Sequence, residues 1–279
     1  QVTRRTARIG WGVGLVVLAA LAFWGYRTVW AAPGKPAWKW SPPSRAGHLE
    51  ILTADDSRIL VLADRRLYVL SGRNGKARQE IPLDFDATGG IVALQTTEKY
   101  GAGVCSDGVF SIDFASGDVA WHPLTEGCRD AVLGPESETA ACLYPMTYDY
   151  LQGQALVPAR VQVVDVNTGD SLWEVPAPEG RTFSGLVAMG GTLGVFEEAI
   201  GERKAGALVA YDMKSGTRRW QMTFEDSLVW GPHFADRSLA LQVGRVFLVV
   251  GSDGAQKWSA DVPAEEFSRH VIRNGRAYV

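Results

Sequence analysis

An all-β fold assembled from one repeated unit is what this sequence predicts, on three observations: a recurring cassette, the spacing between its copies, and the turn chemistry inside each copy. In the cassette an apolar-leaning strand of four residues runs into an acidic residue, a Gly turn follows, and a Trp stands four positions after the Gly. It occurs at Val109–Asp113 with Gly117 and Trp121, at Val161–Asp165 with Gly169 and Trp173, and at Leu208–Asp212 with Gly216 and Trp220. Two weaker copies flank these. Leu67–Leu70 with Gly75 carries Ser71 for the acid and Gln79 for the Trp, and Val246–Val249 with Gly254 and Trp258 carries Val250 for the acid.

The Gly-to-Gly spacings are 42, 52, 47 and 38 residues. That is the length of one four-stranded propeller blade, and longer than an ankyrin unit. A β-propeller is therefore expected over residues 49–279. Within each copy the Asp carboxylate is placed to accept hydrogen bonds from the N–H groups of the turn that follows. Gly supplies the positive φ the turn needs, and the Trp on the outer strand is expected to fill the wedge between neighbouring blades.

Asp113/Gly117/Trp121, Asp165/Gly169/Trp173 and Asp212/Gly216/Trp220 resemble the PQQ-like propeller repeat. That repeat is shared by quinoprotein alcohol dehydrogenases and by the BamB-type outer-membrane assembly lipoprotein. The resemblance runs over roughly residues 34–279 and speaks to fold more than to function, because most proteins with the repeat bind no quinone. It implies a role in envelope protein assembly. The BamB-type protein, however, is lipid-anchored through an N-terminal Cys, and none occurs at this N-terminus. A subunit riding on an energy-transducing or secretory complex fits equally well.

The N-terminal end predicts a membrane anchor. Ile9–Tyr26 carries no charge, follows Arg4, Arg5 and Arg8, and is closed by Arg27. Eighteen helical residues span about 27 Å, near the minimum for a hydrocarbon core. Trp11, Trp24, Tyr26 and Trp30 flank it as interfacial rings do. The expected organisation is a cytoplasmic end (1–8), a transmembrane helix (9–30), a stalk rich in Pro and Trp (31–48) and an extracytoplasmic propeller, the preceding arginines orienting the N-terminus inward. A cleaved signal peptide is the alternative, given Ala31 and Ala32. Gly10 and Gly14 form a G-x-x-x-G pair through which a second helix could approach closely.

Gly34 and Trp38 read as a closing half-cassette, and Arg276–Val279 as the opening of another strand, by analogy with Arg66–Val69. The expectation is a ring of seven or eight blades, continuing beyond the C-terminal end of this sequence, in which an early outer strand completes the last blade.

Chemistry is sparse. A quinone-dependent enzyme of this repeat class is expected to carry two adjacent cysteines; Cys105, Cys128 and Cys142 are separate. The recurrent Asp residues sit at one position in each repeat, as a fold requirement does. His48, His122, His233 and His270 have no metal-ligand spacing. Glu197–Glu198 reads as a neighbouring carboxylate pair without a catalytic arrangement. No catalytic residue, cofactor or metal is expected. The net charge of -3, with both signs interspersed, disfavours nucleic acid.

Cys128 and Cys142 lie symmetrically about Pro135. If Gly134–Ser137 turns a hairpin they face each other, and they are the first choice for a disulfide, Cys105 paired to either being the alternative. The stretch from Tyr144 to Pro158 reads as an irregular loop that lengthens its blade, and Met146, Tyr148 and Tyr150 are candidate partner contacts with Gly10 and Gly14. The function expected is a non-catalytic, membrane-anchored scaffold or accessory subunit of a membrane protein complex. The alternatives are a propeller sensing a small molecule in its channel, and a quinone-dependent dehydrogenase with its site in further blades.

Overall fold

The computed structural model describes residues 38–43, 46–54, 57–85, 90–134, 137–149, 154–201, 206–225, 228–235, 238–261, 271–273 and 276–278. The predicted span at 9–30, with Gly10 and Gly14, lies outside them. Among the described residues no helix is long and apolar enough to cross a membrane.

Every described element is a strand. Blade 1 is β1 (Leu49–Ala54), β2 (Arg58–Ala63), β3 (Arg66–Ser71) and β4 (Ala77–Pro82); blade 2 is β5 (Ile91–Thr96), β6 (Tyr100–Cys105), β7 (Gly108–Asp113) and β8 (Val119–Pro123). Blade 3 opens with β9 (Asp130–Leu133) and β10 (Thr139–Tyr144), inserts β11 (Thr147–Asp149) and β12 (Gln154–Val157), and closes with β13 (Arg160–Asp165) and β14 (Ser171–Pro176). Blade 4 is β15 (Arg181–Met189), β16 (Thr192–Ala199), β17 (Gly206–Asp212) and β18 (Arg218–Phe224). Blade 5 is β19 (Leu228–Ala235), β20 (Ser238–Val243), β21 (Val246–Gly251) and β22 (Gln256–Asp261). A last hairpin joins β23 (Val271–Arg273) to β24 (Arg276–Tyr278), so a strand does begin at Arg276, Val279 lying outside the described residues.

Each blade is a four-stranded antiparallel sheet with its strands in chain order, blade 3 carrying its insertion as a separate two-stranded sheet. The first strands lie side by side, β9 between β5 and β15, and β15 beside β19, which is the inner wall of a propeller. The second and third strands are almost continuously apolar because both their faces are covered. Arg58–Ala63 and Thr139–Tyr144 are buried along most or all of their length, whereas the outer β4 and β14 leave most residues in solvent.

The core is not inside any blade but between blades. Leu60, Leu67 and Ile81 of blade 1 meet Phe110 and Ile112 of blade 2. Val104 and Val109 meet Ala140 and Cys142 of blade 3. Val161 and Val163 meet Leu193 and Val195 of blade 4, and Phe196 and Leu208 meet Leu239 and Leu241 of blade 5. Each blade thus buries one face against each neighbour, and an aliphatic truncation in a seam costs about 2–5 kcal/mol.

Candidate functional site

The cassette chemistry comes first, because it defines which side chains are already committed. Asp113 Oδ1 accepts from the N–H of Ala115 (2.7 Å), Asp165 Oδ1 from Asn167 (2.8 Å) and Thr168 (3.2 Å), and Asp212 Oδ1 from Lys214 (3.1 Å) and Ser215 (2.8 Å). These bonds, led by the one from Ser215 and joined by Arg219, hold the Asp212 carboxyl down at about 2. The turn glycines have φ of 66° to 82°, the left-handed region that favours glycine.

Blade 5 departs from the expected pattern. Val250 is a buried strand residue and not the acid equivalent. Its turn is one residue shorter: Gly254 N–H donates to the Gly251 carbonyl, so Gly251 takes the place that Asp212 holds in blade 4.

Two cassette tryptophans close the seam ahead of them. Trp173 Nε1 donates to the Met213 carbonyl (2.9 Å) with its ring over Gly216, and Trp220 Nε1 donates to the Ser252 carbonyl (2.9 Å) with its ring over Gly254. Trp38 does the same from the stalk, donating to Gly72 (3.1 Å) with its ring over Gly75, in keeping with a half-cassette that closes onto blade 1. Trp258 stands at the corresponding place in blade 5, edge-on to Phe247 and 46% exposed.

Trp121 is the exception. It stacks on Phe85 at 4.0 Å in the seam behind it, over Gly108, while His122 occupies the forward position against Gly169. The cause is register. The β3–β4, β13–β14, β17–β18 and β21–β22 pairs each carry a one-residue shift, but β7–β8 runs without one, pairing Phe110 with Trp121 and Val109 with His122. In a pleat of period two, a missing bulge turns the residue four after the Gly onto the opposite face.

The segment from Tyr144 to Pro158 is not an irregular loop. Its core is the β11–β12 hairpin, and Tyr144 belongs to β10, 1% exposed. The Tyr144 hydroxyl meets Gln162 Oε1 (3.0 Å), burial pushes its pKa well up, and the Arg160 guanidinium lies 4.2 Å over its ring. Arg160 also pairs with Glu126 (2.9 Å) and Glu174 (3.5 Å). Met146 is half-buried against the seam of blades 3 and 4, so it anchors the hairpin base as much as it faces solvent. Tyr148 pairs with Ala155 inside the hairpin, and Tyr150 lies outside the described residues.

No disulfide joins Cys128 to Cys142, and both thiols are buried, as is that of Cys105. The predicted hairpin does form, as β9–β10, and brings Cys128 and Cys142 into one core cluster. There the two thiols share a hydrogen bond, which together with burial holds Cys142 protonated, while Cys128 Sγ donates to the Asp130 carbonyl (3.0 Å). The Asp130 carboxyl accepts from Leu186 N–H of blade 4 (3.2 Å), and burial raises its pKa. Glu197, read from sequence as part of a carboxylate pair, is buried and bonded to Arg181 (3.2 Å). Among the described residues no group of His, Cys, Asp or Glu could hold a metal ion.

The fold and its seams define a protein of the PQQ-like propeller class. The chain belongs to the outer membrane protein assembly factor BamB family, which it matches over residues 17–195 and 204–279. No curated protein matches the sequence. Among solved structures it is similar to BamB from Moraxella catarrhalis (14% identity, 80% of this chain and 76% of that one, TM-score 0.39). It is similar also to hydrazine synthase from Kuenenia stuttgartiensis (11%, 71% and 62%, TM-score 0.48) and to Hsv2 from Kluyveromyces lactis (9%, 70% and 58%, TM-score 0.46). The chain thus spans less than two thirds of the hydrazine synthase and Hsv2 chains.

Proposed function

We propose that this propeller is a non-catalytic interaction scaffold: an accessory subunit of a membrane protein complex, tethered by the apolar segment at 9–26 and held on the extracytoplasmic side. Membership of the outer membrane protein assembly factor BamB family carries the reading. The geometry supports it. The recurrent carboxylates are committed to turn N–H groups and two of the cassette indoles to the next blade, which leaves the blades as rigid supports for the loops between them.

The β11–β12 hairpin is the leading contact element. It rises next to buried Tyr144, whose ring is stacked by the Arg160 guanidinium, itself paired with Glu126 and Glu174. Little ordering entropy is then lost on binding. Solubilising the tagged protein from its native membranes in mild detergent and weighing the intact assembly tests the reading. Stoichiometric membrane partners are expected, and a lone monomer overturns it.

A further inference from the structure

The stalk enters the ring at one face and crosses to the other. Trp38 donates to the Gly72 carbonyl (3.1 Å) with its ring over Gly75, in the β3–β4 turn of blade 1. Trp40 packs on Tyr68, midway along β3, with 5.0 Å between ring centres. Gly47 and His48 then donate their N–H groups to Asp64 Oδ1 (3.0 and 2.8 Å), at the β2–β3 turn. The chain from Trp38 to His48 thus runs from the face that carries the cassette turns to the face that carries the blade-to-blade connections. The β11–β12 hairpin leaves from this second face, since it joins β10 and β13 at the end where Tyr144 pairs with Arg160. A strand of six residues separates the two faces by about 20 Å.

The two faces differ in charge. Among the described cassette turns, only that of blade 1 is without an acid: Ser71–Arg78 holds Arg73, Lys76 and Arg78. Asp113–Ala120 and Asp165–Leu172 hold two acids each and no base. In blade 4 Lys214 is paired with Glu138 and Arg219 with Asp212, and blade 5 sets Lys257 beside Asp253. Lys39, next to Trp38, adds a fourth cation to the outer rim of blade 1. All four are exposed, and among the described residues none of them makes an ion pair. Asp55 and Asp56 belong to the inner β1–β2 connection, and Glu80 of the outer strand is bound to Arg66. On the opposite face the described connections, from Asp64 to Arg245, hold six acids against Arg65, Arg129 and Arg245.

We propose that the blade 1 rim of the cassette-turn face, with Lys39, Arg73, Lys76 and Arg78, rests on the anionic headgroups of the membrane that holds the tether. Twelve residues lead from Tyr26 to Trp38, a reach of at most about 40 Å, and the chain meets the ring at this rim. Each Lys or Arg near an anionic lipid surface favours that placement roughly fivefold. The hairpin then points away from the lipid, toward a part of the partner that stands outside the bilayer. The inference rests on the tether reading; the path of the stalk and the charge of the rim do not.

The test uses the full chain reconstituted into vesicles, with one added cysteine carrying a fluorophore, because the three native thiols are buried. Asn74→Cys marks the rim, and Glu179→Cys, on the exposed connection from β14 to β15, marks the opposite face. A lipid with a nitroxide on its headgroup is the quencher. In vesicles containing phosphatidylglycerol, quenching at 74 should exceed that at 179 at least about twofold. Quenching at 74 should fall in phosphatidylcholine alone, with Arg73→Glu and Lys76→Glu together, and as salt shortens the screening length from about 10 Å at 0.1 M to about 3 Å at 1 M. The lipid and salt comparisons need no change in the rim charges. Equal quenching at the two positions, or quenching at 74 indifferent to lipid charge, overturns the inference and leaves the tether reading standing. Flotation of the unaltered protein with phosphatidylcholine vesicles reads the tether separately, and its loss overturns both.

Discussion

Trp173 on β14 donates its indole N–H to Met213 at 2.9 Å, forty residues along the chain, and its ring lies where a Cβ on Gly216 would come within 2.8 Å. One side chain therefore sets both the chemistry of its own strand and the residue allowed in the next blade's turn. Trp173→Ala should lose about 3–5 kcal/mol. Gly216→Ala should be costly as well, through its φ of 70° and through the indole. In the Trp173→Ala background only the backbone part remains, so the two costs should fall short of additive by about 0.5–3 kcal/mol in urea unfolding. Strict additivity would mean that the ring does not rest on the turn.

How much of this was legible in the sequence follows from the same residues. Asp, Gly and Trp recur at a fixed offset because each blade reuses one turn and one seam, and the lone Trp38 could be recognised from the same offset. Trp121 could not be placed, since the absent bulge in β7–β8 has no residue signature: the offset from Gly117 is the usual four, but the face is reversed. Tyr144 was misread for a related reason. Its neighbours Pro145 and Met146 look loop-like, while its own burial comes from Gln162 and Arg160, which lie across the sheet and not nearby in sequence.

Acid should act through Asp212. Its pKa stands near 2 when folded against a reference of 3.8, so the bonds to Ser215 and Arg219 add stability above about pH 4 that is lost as pH falls through 2. Asp212→Asn should melt lower than the unaltered protein at pH 6, and the gap should close by pH 2. A gap that widens in acid would reverse the sign argued here.

The three thiols should be silent in the native state. Cys105, Cys128 and Cys142 are each at most 6% exposed, so a maleimide should label none of them until the chain unfolds, and three per chain afterwards under non-reducing conditions. One label per unfolded chain would show that Cys128 and Cys142 are bridged after all.

Excising residues 147–157 should leave the propeller folded. β10 and β13 are already paired from Thr139 with Asp165 to Tyr144 with Arg160, and shortening the connection between paired strands changes closure entropy only slightly, on the order of 0.6 kcal/mol per halving. A collapse of the thermal transition would make the hairpin part of the core.

That excision also provides the most direct measurement of the central claim. Intact-assembly mass spectrometry of the full chain, drawn from its native membranes in mild detergent, should show stoichiometric membrane partners, and the chain lacking 147–157 should retain its fold and lose them. A monomer in both preparations, or the same partners bound equally with and without the hairpin, would contradict the account.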